Sequence, residues 1–322
     1  MPKNTTVYDP HFEEHIGNHG VYLPFSTYPD GTEPSKPENF QEIRTILRTS
    51  RPSLALSPDA LEKEHEKFVR LSEKAADEQL VIKNILPILE GEEKACFWSG
   101  AGHPFKKLAP LTDGTLAHAR PDFYHGAPLN QLNPAIRKQL KDQVIPTAKS
   151  NRPIAPNFFV EAKGHDGSHS VVRRQACYNG ALGARAMHSL QQFGNRSGSD
   201  TTTTPACYDN NAYTMTSTYH SGTLGLYTTH PTQSRFNSNY PHRDTDYLMT
   251  RVGKWALDGS PESFQQGITA YRNARDLAQE QRDGFIRQAN ERYASDRRQI
   301  YTARDSDEEQ PVLSNGTGDV NK

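Results

Sequence analysis

Two carboxylates and a lysine stand in a pattern suited to hydrolysing a phosphodiester bond. Asp122 ends the tripeptide Arg-Pro-Asp, and Glu161 and Lys163 follow the apolar run Phe158-Phe-Val160. Carboxylates are the hard oxygen ligands that Mg²⁺ prefers. A water on such an ion becomes a nucleophile, and a nearby lysine can orient it and offset phosphate charge. These residue types predict a metal-dependent hydrolytic site. The alternative is a structural Glu–Lys pair at a strand end.

The segment that carries Glu161 and Lys163 is predicted to be a buried strand. Phe158-Phe-Val160 is a short apolar run bounded by turn residues, which is typical of such a strand. Side chains two residues apart in a strand face the same side. Glu161 and Lys163 are therefore expected to share one side of the sheet.

Asp122 is expected to come from an adjacent strand. Asp113-Gly114 is a strong hairpin signal, so we expect strands over 105–111 and 115–123 with Asp122 at the end of the second one. The separation of 39 residues between Asp122 and Glu161 is longer than a tight hairpin requires. It predicts an excursion over 126–156, with an inserted helix at 129–144.

Taken together, Pro121-Asp122 and Glu161-Ala162-Lys163 resemble the signature of the restriction-endonuclease-like, PD-(D/E)XK, superfamily. The resemblance implies Mg²⁺ or Mn²⁺ as the cofactor, bound by Asp122 and Glu161, with the Ala162 carbonyl as a further ligand. It implies that Lys163 positions the attacking water, and that the partner is a nucleic acid.

The superfamily commonly adds a carboxylate from the helix before the sheet. Glu78, which directly precedes Leu80-Val-Ile82, is the best candidate for this third metal ligand. Glu73 and Asp77 are alternatives.

The superfamily also commonly places a polar residue on the helix after Glu-x-Lys. Arg173, Arg174 and Gln175 lie one turn into that helix. An arginine there could clamp a phosphate through two hydrogen bonds. We expect the arginines to bind substrate and Gln175 to assist catalysis, and a solvated helix face is the alternative for each.

Longer stretches resemble a fungal domain-of-unknown-function family over roughly residues 8 to 290. They are Tyr8-Asp-Pro10, Tyr28-Pro-Asp-Gly31, Asn157 to Gly164, Arg173 to His188 and Tyr213 to Gly222. This resemblance implies a fungal, intracellular protein and brings no established activity.

Composition limits the possible functions. The 322 residues are 34% hydrophobic with a mean hydropathy of -0.82, which predicts a core accompanied by much exposed chain. A formal net charge of -1 removes overall basicity as an argument for nucleic-acid binding. It favours the alternative function, a catalytically inactive module of the same fold that binds protein or nucleic acid.

The same sequence predicts an intracellular location, cytoplasmic or nuclear, with no membrane contact. No apolar run approaches the ~18–20 residues that span a bilayer, and the first residues lack a signal pattern. Three scattered cysteines suit a reducing compartment. The oligomeric state is left open.

Three regions are predicted. An irregular arm over 1–57, with a short helix around Glu38–Arg48, packs on the core through its aromatic rings. A core over 58–300 contains helices at 58–90, 170–193 and 260–298, strands near 95–98, 212–219 and 223–229, and a flexible loop at 194–206. A disordered tail follows over 301–322. The expected fold is α/β, a restriction-endonuclease-like mixed sheet flanked by helices.

Two other motifs are less suited to chemistry. His165 and His169 are four apart, which on a helix can bind zinc, but the surrounding glycines indicate a loop. One of them as an auxiliary acid or phosphate contact stays open. Cys177 lies within an amphipathic helix, where a small buried cysteine is the usual case.

Overall fold

In the computed structural model, the chain is described over residues 5–91, 98–194, 207–235 and 244–308. Within these ranges seven strands form one sheet: β1 Val21–Tyr22, β2 Trp98–Gly100, β3 Phe123–Ala127, β4 Ile154–Lys163, β5 Thr214–His220, β6 Thr223–Gln233 and β7 Thr245–Ala256. The α-helices of the same ranges are α1 Phe12–Asn18, α2 Phe40–Arg48, α3 Pro58–Glu73, α4 Glu78–Asn84, α5 Leu86–Glu90, α6 Pro134–Gln139, α7 Lys141–Val144, α8 His169–Gln192 and α9 Pro261–Glu308.

The sheet is mixed, with the strand order β1-β7-β6-β5-β4-β3-β2. Strands β2, β3 and β4 form an antiparallel meander, and α8 then crosses over to β5, which is parallel to β4. Strands β5, β6 and β7 are antiparallel neighbours, and β1 pairs in parallel with the outer side of β7. The α/β class with helices on both faces is therefore confirmed.

Strand β4 is buried along its whole length because helices cover both of its faces. Phe158 and Val160 belong to the core cluster that includes Tyr271 of α9, whereas Phe159 belongs to the cluster that includes Ala176 of α8. Alternation places Glu161 and Lys163 on the same side as Phe159. The predicted shared side of Glu161 and Lys163 is thus found, and it is the α8 side.

The N-terminal arm is more regular than predicted. It contains α1, β1 and α2, and β1 extends the sheet. Four of its aromatic rings are buried as expected: Phe12, Tyr22, Tyr28 and Phe40. Tyr8 and Phe25 are instead 70% and 73% exposed. The arm is therefore built into the core rather than laid on it.

The predicted hairpin around Asp113-Gly114 is wrong. The Asp113 carboxylate accepts hydrogen bonds from the Thr115 amide and hydroxyl, which makes a local turn, but the flanking segments do not pair as strands. The Thr115 and Ala117 backbones bond to Thr5 instead. Pro110 and Pro121 also interrupt the two segments, and a proline cannot donate to a ladder.

The helical segment predicted over 58–90 is three helices. Ser57 caps α3 by accepting from the Ala60 amide, with Pro58 at the first helical position. Pro87 opens α5, and Gly91 ends it with a positive φ of 71°. The excursion between β3 and β4 holds two short helices, α6 and α7, where one was predicted.

The other predicted elements that lie in the described residues are present, but their ends differ from the predicted ones. Helix α9 continues through Glu308, past its predicted end near Arg298, and 309–322 lie outside the described residues. The predicted loop at 194–206 lies outside the described residues from 195 onward. The predicted strand at 95–98 also lies outside them, except for Trp98, which begins β2. Strands β1 and β7 were not predicted.

Among the described residues, no helix combines the length and apolar character needed to cross a membrane.

Candidate functional site

Asp122 and the Glu-x-Lys segment meet at the boundary between β3 and β4. Phe123, the first residue of β3, pairs with Val160 of β4, so Asp122 lies just beyond the start of the ladder. The Asp122 Oδ2 accepts the Ala162 amide at 2.8 Å. The Asp122 carboxylate thus accepts a hydrogen bond from a buried backbone amide of β4, at a position where β3 has no further residue to pair with that amide. This bond joins the two predicted motifs directly.

Lys163 lies between carboxylates. Its Nζ donates to the Glu78 carboxylate and, at 3.1 Å, to the Ala162 carbonyl, and it lies 3.8 Å from Asp122 Oδ2. Of the three candidates for the additional carboxylate, Glu78 is the one that reaches the site. Asp77 instead caps α4 by accepting the Leu80 amide at 2.9 Å.

Gly164 makes the approach of α4 possible. A Cβ at this position would lie 2.1 Å from the Ala76 carbonyl oxygen, which no side chain can tolerate. Glycine therefore lets the end of β4 lie directly against the segment that connects α3 to α4. That contact brings Glu78, at the first turn of α4, to the ammonium of Lys163.

Glu161 is completely buried under α8. Its Oε1 accepts a hydrogen bond from Asn179 Nδ2, and no donor within the described residues reaches its Oε2. Asn179 is a site residue that the sequence reasoning missed. It lies four residues after Gln175, which places the two side chains on the same face of α8. This spacing was the sequence signal that could have identified Asn179.

The carboxylates of the site hold more negative charge than Lys163 can balance. Burial raises the pKa of Asp122 to about 7, with the neighbouring Glu78 adding to the rise and Lys163 opposing it. Burial also raises the pKa of Glu161 well above its usual range, and the charges of Asp122 and Glu78 contribute. At neutral pH the cluster therefore retains protons, which a bound cation would displace.

Glu78 and Lys163 form the charged part of the cluster. Burial alone would raise the pKa of the Glu78 carboxyl, but its hydrogen bonds with Lys163 and Asp122 bring the net shift below the ordinary value. Burial disfavours the Lys163 ammonium, yet the surrounding carboxylates raise its pKa. Lys163 is therefore protonated and held by Glu78.

The donor set suits a hard divalent cation at two carboxylates rather than three. Glu161 of β4 and Asp122, directly before β3, offer oxygens on adjoining segments, and the unpartnered Oε2 of Glu161 has a lone pair to give. Among the described residues, the three carboxylates do not each bring an oxygen within 4.8 Å of the other two, so the predicted triple carboxylate set is not assembled. Glu78 contacts Asp122 and is held by Lys163.

A cavity of about 200 Å³ lies beside Asn179. Gln175 and Arg120 line it, together with the arm residues Thr5 to Tyr8. The Oε1 of Gln175 is buried without a hydrogen-bond partner in the described chain. Gln175 therefore lines a mostly apolar cavity next to Asn179, the residue that covers Glu161, and its amide oxygen is one of the polar groups there.

The two arginines differ in their surroundings. Arg174 donates from Nε to Glu13 at 2.8 Å and from Nη1 to the Val7 and Asp9 carbonyls at 3.1 Å. It holds the arm in place, which occupies the donors that a phosphate clamp would need. Arg173 is half-buried near the start of α8, and its charge reaches His169.

The other motifs do not form sites of their own. His165 Nε2 bonds the Ser72 carbonyl at 3.0 Å, while the ring of His169 lies against that of His220. The two histidines therefore do not share a ligand position. Cys177 is buried, and burial raises the pKa of its thiol far above the range of a reactive cysteine.

Comparisons of the chain with family models, with curated proteins and with solved structures gave no match. The relationships inferred from the motifs, to the fungal family and to the PD-(D/E)XK superfamily, therefore stay predictions.

Proposed function

We propose that this protein is a metal-dependent nuclease-like phosphodiesterase with a restriction-endonuclease-like fold. One observation carries the proposal: two buried carboxylates with raised pKa values, Glu161 of β4 and Asp122 directly before β3, lie beside the ammonium of Lys163. Burying such charge is unfavourable unless it is paired. A divalent cation is the partner that this donor set lacks.

Asp122 and Glu161 would hold Mg²⁺ or Mn²⁺. The bound ion would supply Lewis acidity and lower the pKa of a bound water. Lys163 would orient the attacking water and offset the charge of the phosphate, and Glu78 keeps its ammonium next to Asp122. Gln175 and Asn179 present amide groups beside the site, where they can orient carboxylate and phosphate oxygens.

The order of elements supports the fold proposed. Helices α3 to α5 precede the meander β2–β3–β4, and α8 then leads into the parallel strand β5. Asp122, directly before β3, thereby lies beside the Glu-x-Lys segment at the end of β4. The helices before and after the meander deliver Glu78 and Gln175 to the same end of β4.

A second candidate function is a catalytically inactive module of this fold that binds protein or nucleic acid. Glu161 is 0% exposed, and the arm lines the neighbouring cavity. Arg174, which would contact a substrate, secures that arm. These contacts favour a site that is closed, and the net charge of -1 agrees with it.

Cleavage of a panel of labelled DNA and RNA with Mg²⁺ or Mn²⁺ tests the proposal. We expect metal-dependent cleavage by the parent protein and a loss of at least about 100-fold in Asp122→Ala and Lys163→Ala. Matched controls are Asp296→Ala on an exposed part of α9 and Lys83→Ala on the exposed side of α4. Both controls should cleave like the parent.

Two results would contradict the proposal. Cleavage that survives both site substitutions would come from a contaminant or from another site. No cleavage and no Mg²⁺ binding by calorimetry, with the parent folded by circular dichroism, would favour the binding module. Retained binding of labelled DNA or RNA would then identify its partner as a nucleic acid.

A further inference from the structure

Two histidines and an aspartate meet on the side of the arm. His15 lies in α1 and His19 directly follows that helix, and their ring centroids are 4.7 Å apart. Asp113 comes from the turn before Thr115, with its Oδ1 3.4 Å from His15 Nε2. One ligand atom from each residue lies within 4.8 Å of the other two, and no second group of this kind occurs in the described ranges.

The spacing of the histidines is suited to a shared ligand. Residues four apart on a helix present their side chains on one face, and two such imidazoles are a common zinc-binding pair. Asp113 approaches this face from a segment almost one hundred residues away. The three side chains thus converge because of the fold, and they supply two nitrogens and one oxygen.

The hydrogen bonds around the cluster orient its ligand atoms. His19 Nδ1 lies 2.8 Å from the His15 carbonyl, to which only an Nδ1–H tautomer can donate. That tautomer leaves the lone pair on Nε2. Ligating histidines usually donate their other nitrogen to a carbonyl or carboxylate in this way.

The carboxylate of Asp113 is oriented as well. Its Oδ1 accepts the Thr115 hydroxyl at 2.6 Å and the Thr115 amide at 3.1 Å. Asp113 is therefore a carboxylate held in position beside the two histidines.

We propose that His15, His19 and Asp113 bind a zinc ion. Imidazole nitrogens and a carboxylate suit zinc, whereas Mg²⁺ prefers oxygen ligands only. Zn–N bonds of about 2.0–2.1 Å in a tetrahedral site separate ligand atoms by about 3.3 Å. Small side-chain rotations close the observed spread to this value. Asp113 is half exposed, so water can fill the fourth position.

The zinc ion would link the N-terminal arm to the segment that precedes β3. The two histidines belong to the arm, and Asp113 belongs to the segment that leads to β3. The same two segments also line the cavity beside Asn179, through Thr5 to Tyr8 with Phe12 and through Ala117 to Arg120. Zinc would therefore hold together two segments that line this cavity. The proposal does not depend on the nuclease function.

Titration of Zn²⁺ into the metal-free full chain, followed by calorimetry, tests the site. We expect one ion per chain, and a loss of affinity of at least about 10-fold in each of His15→Ala, His19→Ala and Asp113→Ala. His11→Ala is the matched control, since His11 lies next to the same helix and its side chain is 82% exposed. Asp296→Ala, at an exposed position of α9, should also bind like the parent, and excess Mg²⁺ in the titration keeps zinc from the all-oxygen carboxylate cluster.

A second measurement keeps the test decisive if a variant folds poorly. Co²⁺ can replace Zn²⁺, and its visible absorption reports a tetrahedral site with nitrogen ligands. The conservative His19→Gln protein should fold like the parent by circular dichroism and lose this absorption. Absence of stoichiometric Zn²⁺ binding in the parent would overturn the proposal, as would equal affinity in the parent and in all three ligand variants.

Discussion

At the scale of residues, the protein is defined by charged groups that are buried together. Asp122 and Lys163 are 8% and 7% exposed, and Glu161 is 0% exposed. Removing a carboxylate from water costs several kcal/mol unless it is neutralised. Protonation neutralises the cluster when no cation is bound, and this is the physical meaning of the raised pKa values.

The Asp122→Asn substitution tests this account through pH. With a pKa of about 7 in the folded protein and an ordinary value of 3.8 when unfolded, Asp122 binds more protons in the folded state between these values. Its contribution to stability therefore falls as pH rises towards about 7 and is level above that. We expect the melting temperature of the parent, relative to Asp122→Asn, to drop between about pH 5 and about pH 8.

Excess Mg²⁺ gives the second half of this test. At about pH 8 the ion should raise the melting temperature of the parent and not that of Asp122→Asn, since ligand binding stabilises the folded state. Asp296→Asn, at an exposed position, should behave like the parent. If the parent and Asp122→Asn show the same pH dependence, Asp122 does not titrate as described.

At the scale of elements, a buried polar cluster joins α5, β3 and α9. The Glu90 carboxylate accepts hydrogen bonds from Arg275 at 2.9 Å and from the Tyr271 hydroxyl, and His125 Nε2 lies 3.0 Å away. Burial would raise the pKa of Glu90, but His125, Arg275 and Tyr271 lower it to about 2. These contacts fix both helices against the sheet.

Glu90→Gln should therefore destabilise the protein strongly. It removes the buried carboxylate that Arg275 Nη1 binds at 2.9 Å and leaves that arginine only the more exposed Asp276, and breaking a buried pair typically costs about 3–5 kcal/mol. Urea unfolding at neutral pH measures the loss. Glu66→Gln is the control, because Glu66 pairs with Arg70 on an exposed helix surface where an ion pair contributes little. Equal stability of the two variants would refute this role for Glu90.

The Glu90 contribution also has a direction in pH. A carboxyl with a lowered pKa stabilises the folded state above its unfolded value, near 4.5, and loses this effect as pH falls towards about 2. The direction is reversed for Asp122, whose contribution to stability falls as pH rises towards about 7. The contributions of the two buried sites therefore change over pH ranges that overlap only near pH 4.

At the scale of the whole molecule, the arm is a structural part of the fold. Phe12 and Ile16 of α1 belong to the same core cluster as Phe159 of β4 and Ala176 of α8. On the opposite face, Ile43 of α2 packs in the cluster that includes α9. The arm thus contributes to both hydrophobic layers around the sheet.

Phe12→Ala measures this contribution. Phe12 is 2% exposed, and truncating a buried phenylalanine typically lowers stability by about 3–5 kcal/mol. Phe25→Ala is the matched control in the same arm, since Phe25 is 73% exposed and should change stability little. Urea unfolding of both proteins decides the matter. A small loss in Phe12→Ala would mean that the arm only rests on the core.

Much of the centre of the molecule follows from local sequence pattern. The apolar run before Glu161 predicted a buried strand, and the period of two placed Glu161 and Lys163 on one side. Helix boundaries have the same local character, since Ser57 caps α3 with its side chain and Gly91 ends α5 with a positive φ. Such features depend on residues that are close together in the chain, so a sequence displays them directly.

Contacts between distant segments were decided by the tertiary structure alone. The Asp113-Gly114 turn forms, but its neighbours bond to Thr5 instead of to each other. Strand β1 forms against β7, more than two hundred residues away, and its two residues show no periodicity. Asn179 under Glu161 and Asp113 beside His15 are likewise products of packing. The residue types that do chemistry are visible in the sequence, whereas their partners depend on which surfaces the folded chain brings together.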